Sequence, residues 1–175
     1  GVRRLQGIGH LNPQIQELAR RGYVAVTVGY RFAPKHPFPA QVEDVKCAAR
    51  FLRAHAEQYG IDKTRLGAVG FSAGAHLSMM LGTMEKEDGL EGDGGWAAES
   101  SKVQAVVAWF GPTDFTLEYP EASRRIVQTF LGGTLAEKPE LYKRASPITY
   151  VSAGDAPTLI LQGTKDPLVP HDQAY

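Results

Sequence analysis

Gly70-Phe71-Ser72-Ala73-Gly74 is the stretch whose residue types and spacing are suited to chemistry. It fits G-x-S-x-G, a serine with a glycine two residues away on either side. With 19 Gly and 7 Ser among 175 residues, random order gives roughly 0.08 such matches. Its position matters more than the string. It follows the apolar run Arg65 to Gly70 (RLGAVG) and opens a helical pattern that continues to about Met84. A serine at such a strand-to-helix bend sits in a tight, strained turn that pushes its hydroxyl out above the sheet edge. Glycines on both sides avoid collision of a Cβ with the adjoining strand and helix. The following helix points its first N–H groups at the same place, where negative charge develops during acyl transfer. The expected chemistry is attack by the Ser72 hydroxyl on an acyl carbonyl, with the Ala73 N–H as one oxyanion donor. A plain βα turn that keeps its glycines for packing is the competing reading.

A serine hydroxyl is a weak nucleophile at neutral pH, so it needs a base, and the base needs an orienting carboxylate. Asp166 lies in Gly163-Thr164-Lys165-Asp166-Pro167, just past the C-terminal end of an apolar strand. Open α/β sheets place their sites there. Asp114, in Gly111-Pro112-Thr113-Asp114, holds a similar place after the preceding strand. Asp166 is the better placed, and either residue can instead serve as a turn Asp with local hydrogen bonds. The histidines are His10, His36, His55, His76 and His171. In this kind of fold the base follows the acid in chain order, which leaves His171. It is five residues past Asp166, too near to fold back onto Ser72, and reads as a surface residue. His76 stands one helical turn after Ser72 with its side chain directed towards the start of that helix, and buried packing is its simpler role. His55 reads as surface. His36 is placed to line an entrance in a solvated loop, and His10 carries no signal.

The elements that must hold these residues alternate along the chain. Asn12-Pro13 starts a helix that Gly22 closes, with Ile15, Leu18 and Ala19 as its apolar stripe. Tyr23 to Val28 (YVAVTV) is a continuous β-branched run and reads as a buried strand. Pro34, Pro37 and Pro39 stiffen the next loop. A long helix is expected from about Ala40 to Tyr59, with Val42, Val45, Ala49, Leu52 and Ala56 towards the core and Gly60 as its end. Cys47 within it reads as a packing thiol. After the helix that follows Ser72 comes an acidic, Gly-rich stretch over 85–101, read as a solvated or lid loop. Its carboxylates do not follow the spacing of a calcium loop. Val103 to Phe110 is a third strand. Pro120 to Leu131 is a helix with Ile126, Val127 and Phe130 as its apolar face. Residues 137–145 add a short helix, Pro157 to Gln162 a fourth strand, and a last helix starts at Pro170. Strand–helix–strand alternation of this kind predicts a doubly wound, mostly parallel α/β sheet in one domain over 1–175.

Composition removes several classes. Lys+Arg and Asp+Glu are 19 each, so the net charge is zero. A nucleic-acid-binding domain needs a basic surplus on one face. One Cys rules out an intrachain disulfide and cannot alone make a Cys-based zinc site. No apolar run approaches the roughly 20 residues of a membrane span. Hydrophobic residues at 43% and charged residues at 22% are those of a packed, water-facing protein.

Taken together, several segments resemble the α/β-hydrolase carboxylesterases, in particular the hormone-sensitive-lipase-like and feruloyl-esterase-like bacterial esterases. Tyr30-Arg31-Phe32-Ala33-Pro34-Lys35-His36-Pro37-Phe38-Pro39 is similar to that family's Y-R-x-A-P-x-x-x-F-P loop, and Glu43-Asp44 falls at its E-D position. Gly70 to Leu77 is similar to its elbow and following helix. Ala145-Ser146-Pro147 and Gly163 to Pro170 are similar to its A-S-P and acid loops. The resemblance implies that Ser72 is the nucleophile, Asp166 the triad acid and Ala73 an oxyanion donor, with His76 and Asp114 outside the triad. It implies a small-molecule ester as substrate, with no metal or organic cofactor. A peptidase or arylformamidase of the same superfamily, or a non-catalytic hydrolase-like binding module, are the alternatives. The family's H-G-G-G oxyanion loop is absent ahead of the first helix, with Gly1 as its only trace. Its catalytic His is expected some tens of residues past Asp166. Its sheet order puts a strand between those read at 23–28 and 65–70. The sequence is therefore expected to be an internal stretch of an enzyme of roughly 250–300 residues, nearly inactive alone.

Overall fold

The computed structural model describes residues 13–175. Their order is α1 (Pro13–Arg20), α2 (Ala40–Ala54), α3 (Ala56–Tyr59), β1 (Gly67–Phe71), α4 (Ala73–Thr83), β2 (Ala105–Trp109), α5 (Glu121–Leu131), α6 (Pro139–Ala145) and β3 (Thr158–Leu161). Short 3-10 helices follow at Pro147–Tyr150 and His171–Ala174. The strands form one parallel sheet in the order β1-β2-β3, with Phe71 beside Trp109 and Trp109 beside Leu161. The α/β alternation and parallel pairing agree with the sequence. Asn12, expected to cap the first helix, lies outside the described residues, as does His10.

α4 organises this arrangement. Its residues Ala75 to Thr83 are all buried, the mark of a helix covered on every side. It packs on β1 and β2 with one flank and on α2 and the Pro147–Tyr150 turn with others. The approach to the sheet is close because Gly82 has no side chain. A Cβ there would come within 2.6 Å of the Val106 side chain. Val106 and Ala108, on the α4 side of the sheet, are buried. The alternating residues point the other way. Among the described residues Val69 is 51%, Trp109 38% and Leu159 56% exposed on that second face.

Tyr23–Val28 is not a strand. Its residues carry no ladder hydrogen bonds among the described residues, and Tyr23, Val24 and Val28 are exposed. β-branched residues favour extended backbone, but a strand exists only where a neighbour meets its N–H and C=O groups. β1 is the sheet edge among the described residues, and this run pairs with no described strand. Among the described residues three strands are therefore formed, not four. The long helix divides at His55 into α2 and α3, and Gly60 ends it in the left-handed conformation, φ 67°. Ile126 is 63% exposed. Val127 is buried and Phe130 packs against the core, as expected, and Leu131 joins them on the inner face of α5.

The 85–101 stretch is mostly exposed, as expected of a solvated loop, but it is also strapped to α2. Lys46 and Arg50, both fully buried on α2, share the Glu91 carboxylate. Lys46 also donates to the Gly89 carbonyl (3.0 Å), and Arg50 to those of Gly95 (3.0 Å) and Glu91 (2.9 Å). Arg53 holds the carbonyls of Ser100 and Lys102. Cys47 is half-buried beneath the strap, its Sγ 3.2 Å from the Gly94 carbonyl. The Pro-rich loop is tied to α2 as well. Arg31 donates to Asp44 at 2.7–3.0 Å and to Glu43 at 3.0 Å.

Candidate active site

β1 ends at Phe71 and α4 begins at Ala73, so Ser72 alone makes the turn. It does so at φ 50°, ψ −118°, a conformation that costs a residue with a Cβ about 1–3 kcal/mol. Two backbone bonds hold it there. The Ser72 N–H donates to the Trp109 carbonyl (2.9 Å), and its carbonyl accepts the His76 N–H (3.1 Å). The side chain is exposed, and its Oγ makes no hydrogen bond among the described residues. Ala73, as the first residue of α4, has an N–H with no intrahelical acceptor.

The two glycines of the motif have different duties. A Cβ on Gly70 would lie 2.1 Å from the carbonyl carbon and oxygen of Gly74, whereas a Cβ on Gly74 would meet nothing within 4 Å. Only Gly70 is needed for close approach, which corrects the expectation that both are. β2 ends in a similar way. Phe110 has φ 43° and donates its N–H to Leu161 (2.7 Å). A Cβ on Gly111 would run into Ala75 at 2.5 Å. Neighbouring strand ends thus both leave the sheet through residues with positive φ.

Asp166 lies in the loop after β3, half-buried. Its Oδ1 accepts the N–H groups of Leu168 (2.8 Å) and Val169 (3.0 Å). Its other oxygen has no partner among the described residues. Because the sheet is parallel and in register, β1 and β3 release their chains at the same edge. Two strand spacings, about 10 Å, separate them there. Ser72 and the Asp166 loop are therefore brought to one edge of the sheet.

Asp114 is a turn residue. Its Oδ1 accepts the N–H and hydroxyl of Thr116 at 2.8 and 2.6 Å. His76 is buried, with Nε2 2.7 Å from the Ala145 carbonyl and its ring edge-on to Phe115 and Phe130. Burial pushes its pKa down to about 4 against the smaller upward effect of the Ala145 bond, so it is neutral at pH 7. That fixes Nε2 as the protonated nitrogen. His171 is exposed beside Asp172 (3.0 Å). His55 is only half-buried and stacks on Phe51 beneath Trp96, and His36 sits in the Pro-rich loop. None of the four imidazoles hydrogen-bonds Ser72 or Asp166. Gln173, which no sequence pattern singles out, joins the segment after Asp166 to the turn after β2. A cleft of about 180 Å³ lined by Met84, Glu91, Ser101 and Lys102 lies at the far end of α4, about 16 Å along the helix from Ser72, and has no part in this arrangement.

Comparisons with known proteins point the same way. The BD-FAE family model matches residues 5–175. The chain is 32% identical over 171 residues to the probable carboxylic ester hydrolase LipM of Mycobacterium tuberculosis, covering 95% of this chain and 39% of that protein. It is 30% identical over 179 residues to the uncharacterized peptidase YtmA of Bacillus subtilis, covering 98% of this chain and 63% of that one. A truncated carbohydrate esterase from gut microbiota superposes with a TM-score of 0.79 at 31% identity, over 91% of this chain and 62% of that chain. The chain thus spans less than two thirds of the length of each. Fold, elbow position and family match agree: the chain belongs to the BD-FAE family and carries part of an α/β-hydrolase esterase fold.

Proposed function

We propose that the whole protein is a serine carboxylesterase that hydrolyses small-molecule esters, short-chain or aryl, through an acyl-enzyme. The observation that carries this reading is Ser72: one strained residue between β1 and α4, its hydroxyl exposed and unbonded. Ser72 Oγ attacks the ester carbonyl carbon while its proton passes to an imidazole from outside the described residues. The resulting oxyanion is held by the Ala73 N–H at the positive end of α4. Collapse expels the alcohol, which takes the proton back from the imidazolium. Water then attacks the acyl-enzyme by the same route and releases the acid. In this reading Asp166, with one oxygen fixed in its own loop and the other unbonded among the described residues, accepts the imidazole Nδ1–H and stabilises the imidazolium. The reaction calls on no metal or organic cofactor.

Full-length protein is expected to hydrolyse p-nitrophenyl acetate and to react covalently with a fluorophosphonate probe. Ser72→Ala is expected to abolish labelling and to lower kcat by about 10⁴-fold or more. Folded full-length protein that fails to label would instead be a hydrolase-like binding module. The similarity to a protein named as a peptidase supports amide hydrolysis as the second reading. A p-nitroanilide cleaved faster than the matching p-nitrophenyl ester would establish it.

A further inference from the structure

The loop that carries Asp166 is fastened to its surroundings by polar side chains. Gln162 Nε2 donates to the Val169 carbonyl (2.7 Å), closing the loop on itself. Ser123 Oγ donates to the Leu168 carbonyl (2.7 Å) and ties it to α5. The third fastening is the most elaborate. Gln173 is 2% exposed. Its Oε1 accepts the N–H groups of Thr113 (2.7 Å) and Asp114 (2.8 Å), and its Nε2 donates to the Asp114 carbonyl (2.9 Å). The Thr113 hydroxyl donates to the Gln173 backbone carbonyl (2.6 Å).

The carboxamide therefore presents an acceptor and a donor side by side to the N–H and C=O of one residue, as a neighbouring strand would. Few side chains can do this. Asn is one methylene shorter. Met fills the space but leaves two N–H groups unpaired. An ionised Glu offers a second acceptor where the Asp114 carbonyl needs a donor. The turn that Gln173 grips follows directly from β2, and the Trp109 carbonyl of β2 holds the Ser72 N–H. A short run of bonds thus links the Asp166 loop, through Gln173 and the end of β2, to the Ser72 backbone.

We propose that Gln173 is a positioning residue, one that sets the Asp166 carboxylate relative to Ser72 by locking the acid loop onto the Thr113–Asp114 turn. This rests on the reading of Asp166 as the triad acid. Loss of the lock lets the carboxylate drift from the imidazole, and misplacement by about 1 Å is enough to cost on the order of 100-fold in rate. The imidazolium loses stabilisation with it, so its pKa falls.

The test uses the full-length protein with p-nitrophenyl acetate across pH. Asp166→Asn is measured first and is expected to lower kcat by about 10³-fold or more. Gln173→Met is expected to lower kcat by about 10- to 100-fold with little change in KM, and to move the acidic limb of the kcat profile to lower pH. Gln173→Glu is expected to match the Met variant at high pH and to recover towards wild type, as a ratio at each pH, when the introduced carboxyl takes up a proton and regains a donor. If Asp166→Asn is impaired while Gln173→Met loses only thermal stability, with kcat and the acidic limb unmoved, the proposal is overturned. If the Met variant does not fold, the Glu ratio decides: a ratio independent of pH also overturns it. An unimpaired Asp166→Asn instead overturns the assignment of the acid.

Discussion

Ser72 has no conformational choice, because its neighbours leave it none. The backbone of Gly74 occupies the space that a side chain on Gly70 would need, so the strand end and the helix start meet backbone to backbone. Gly70→Ala is therefore expected to cost about 3 kcal/mol or more and to remove fluorophosphonate labelling. Gly74→Ala meets open space in the first turn of α4. It is expected to be neutral or to stabilise by up to about 1 kcal/mol, with labelling retained. Urea denaturation of the two variants checks this, and equal losses would contradict the geometry. The motif was legible in the sequence, but the unequal duty of its glycines was not. A string gives spacing and does not say which backbone passes close by. Gln173 was silent for a related reason: a glutamine announces nothing until the group it faces is known.

At the scale of elements, the strap over α2 depends on one acid. Burial raises the Glu91 carboxyl, and its bonds and charge contacts with Lys46, Ser101 and Arg50 outweigh that, leaving it below the usual carboxylate range. Its contribution is present above its unfolded pKa and is lost as pH falls through the lower folded value. Glu91→Gln leaves two buried cations without their shared carboxylate and is expected to cost about 3–5 kcal/mol at neutral pH, read from chemical denaturation midpoints. A loss below about 1 kcal/mol would show that the carbonyls of Gly89 and Gly95 suffice. The sequence suggested a solvated or lid loop here, and most of it is exposed; the buried pairing of Glu91 was not legible. Its glycines and acids look alike whether they face water or a cation, and Lys46, Arg50 and Arg53 at helical spacing look like an ordinary wet face of α2. The helices were legible where apolar periodicity ran for several turns, as in α2, or where the Ser72 motif announced one, as in α4. The Tyr23–Val28 run misled because residue type sets a preference for extended backbone and cannot supply the partner strand.

For the whole molecule, His76 joins the helix that starts at Ser72 to the excursion between β2 and β3. It is neutral when folded, with a pKa of about 4, and titrates near 6.5 when unfolded. Between these values the unfolded chain binds the extra proton, so stability falls as pH drops from about 6.5 to about 4, by about 3 kcal/mol in all. His76→Gln, which keeps a donor for the Ala145 carbonyl, is expected to flatten that slope. Urea midpoints from pH 4 to 7 read it, and an unchanged slope would assign the acid sensitivity elsewhere. The parallel α/β arrangement was legible from alternation alone, and the relation between Ser72 and Asp166 followed from where parallel strands end. The bare side of the sheet has a practical meaning too. Val69, Trp109 and Leu159 form a greasy plate among the described residues, and water gains by expelling it. Molecules that present such a plate are expected to attract one another, clouding as salting-out agents are added and clearing with mild detergent.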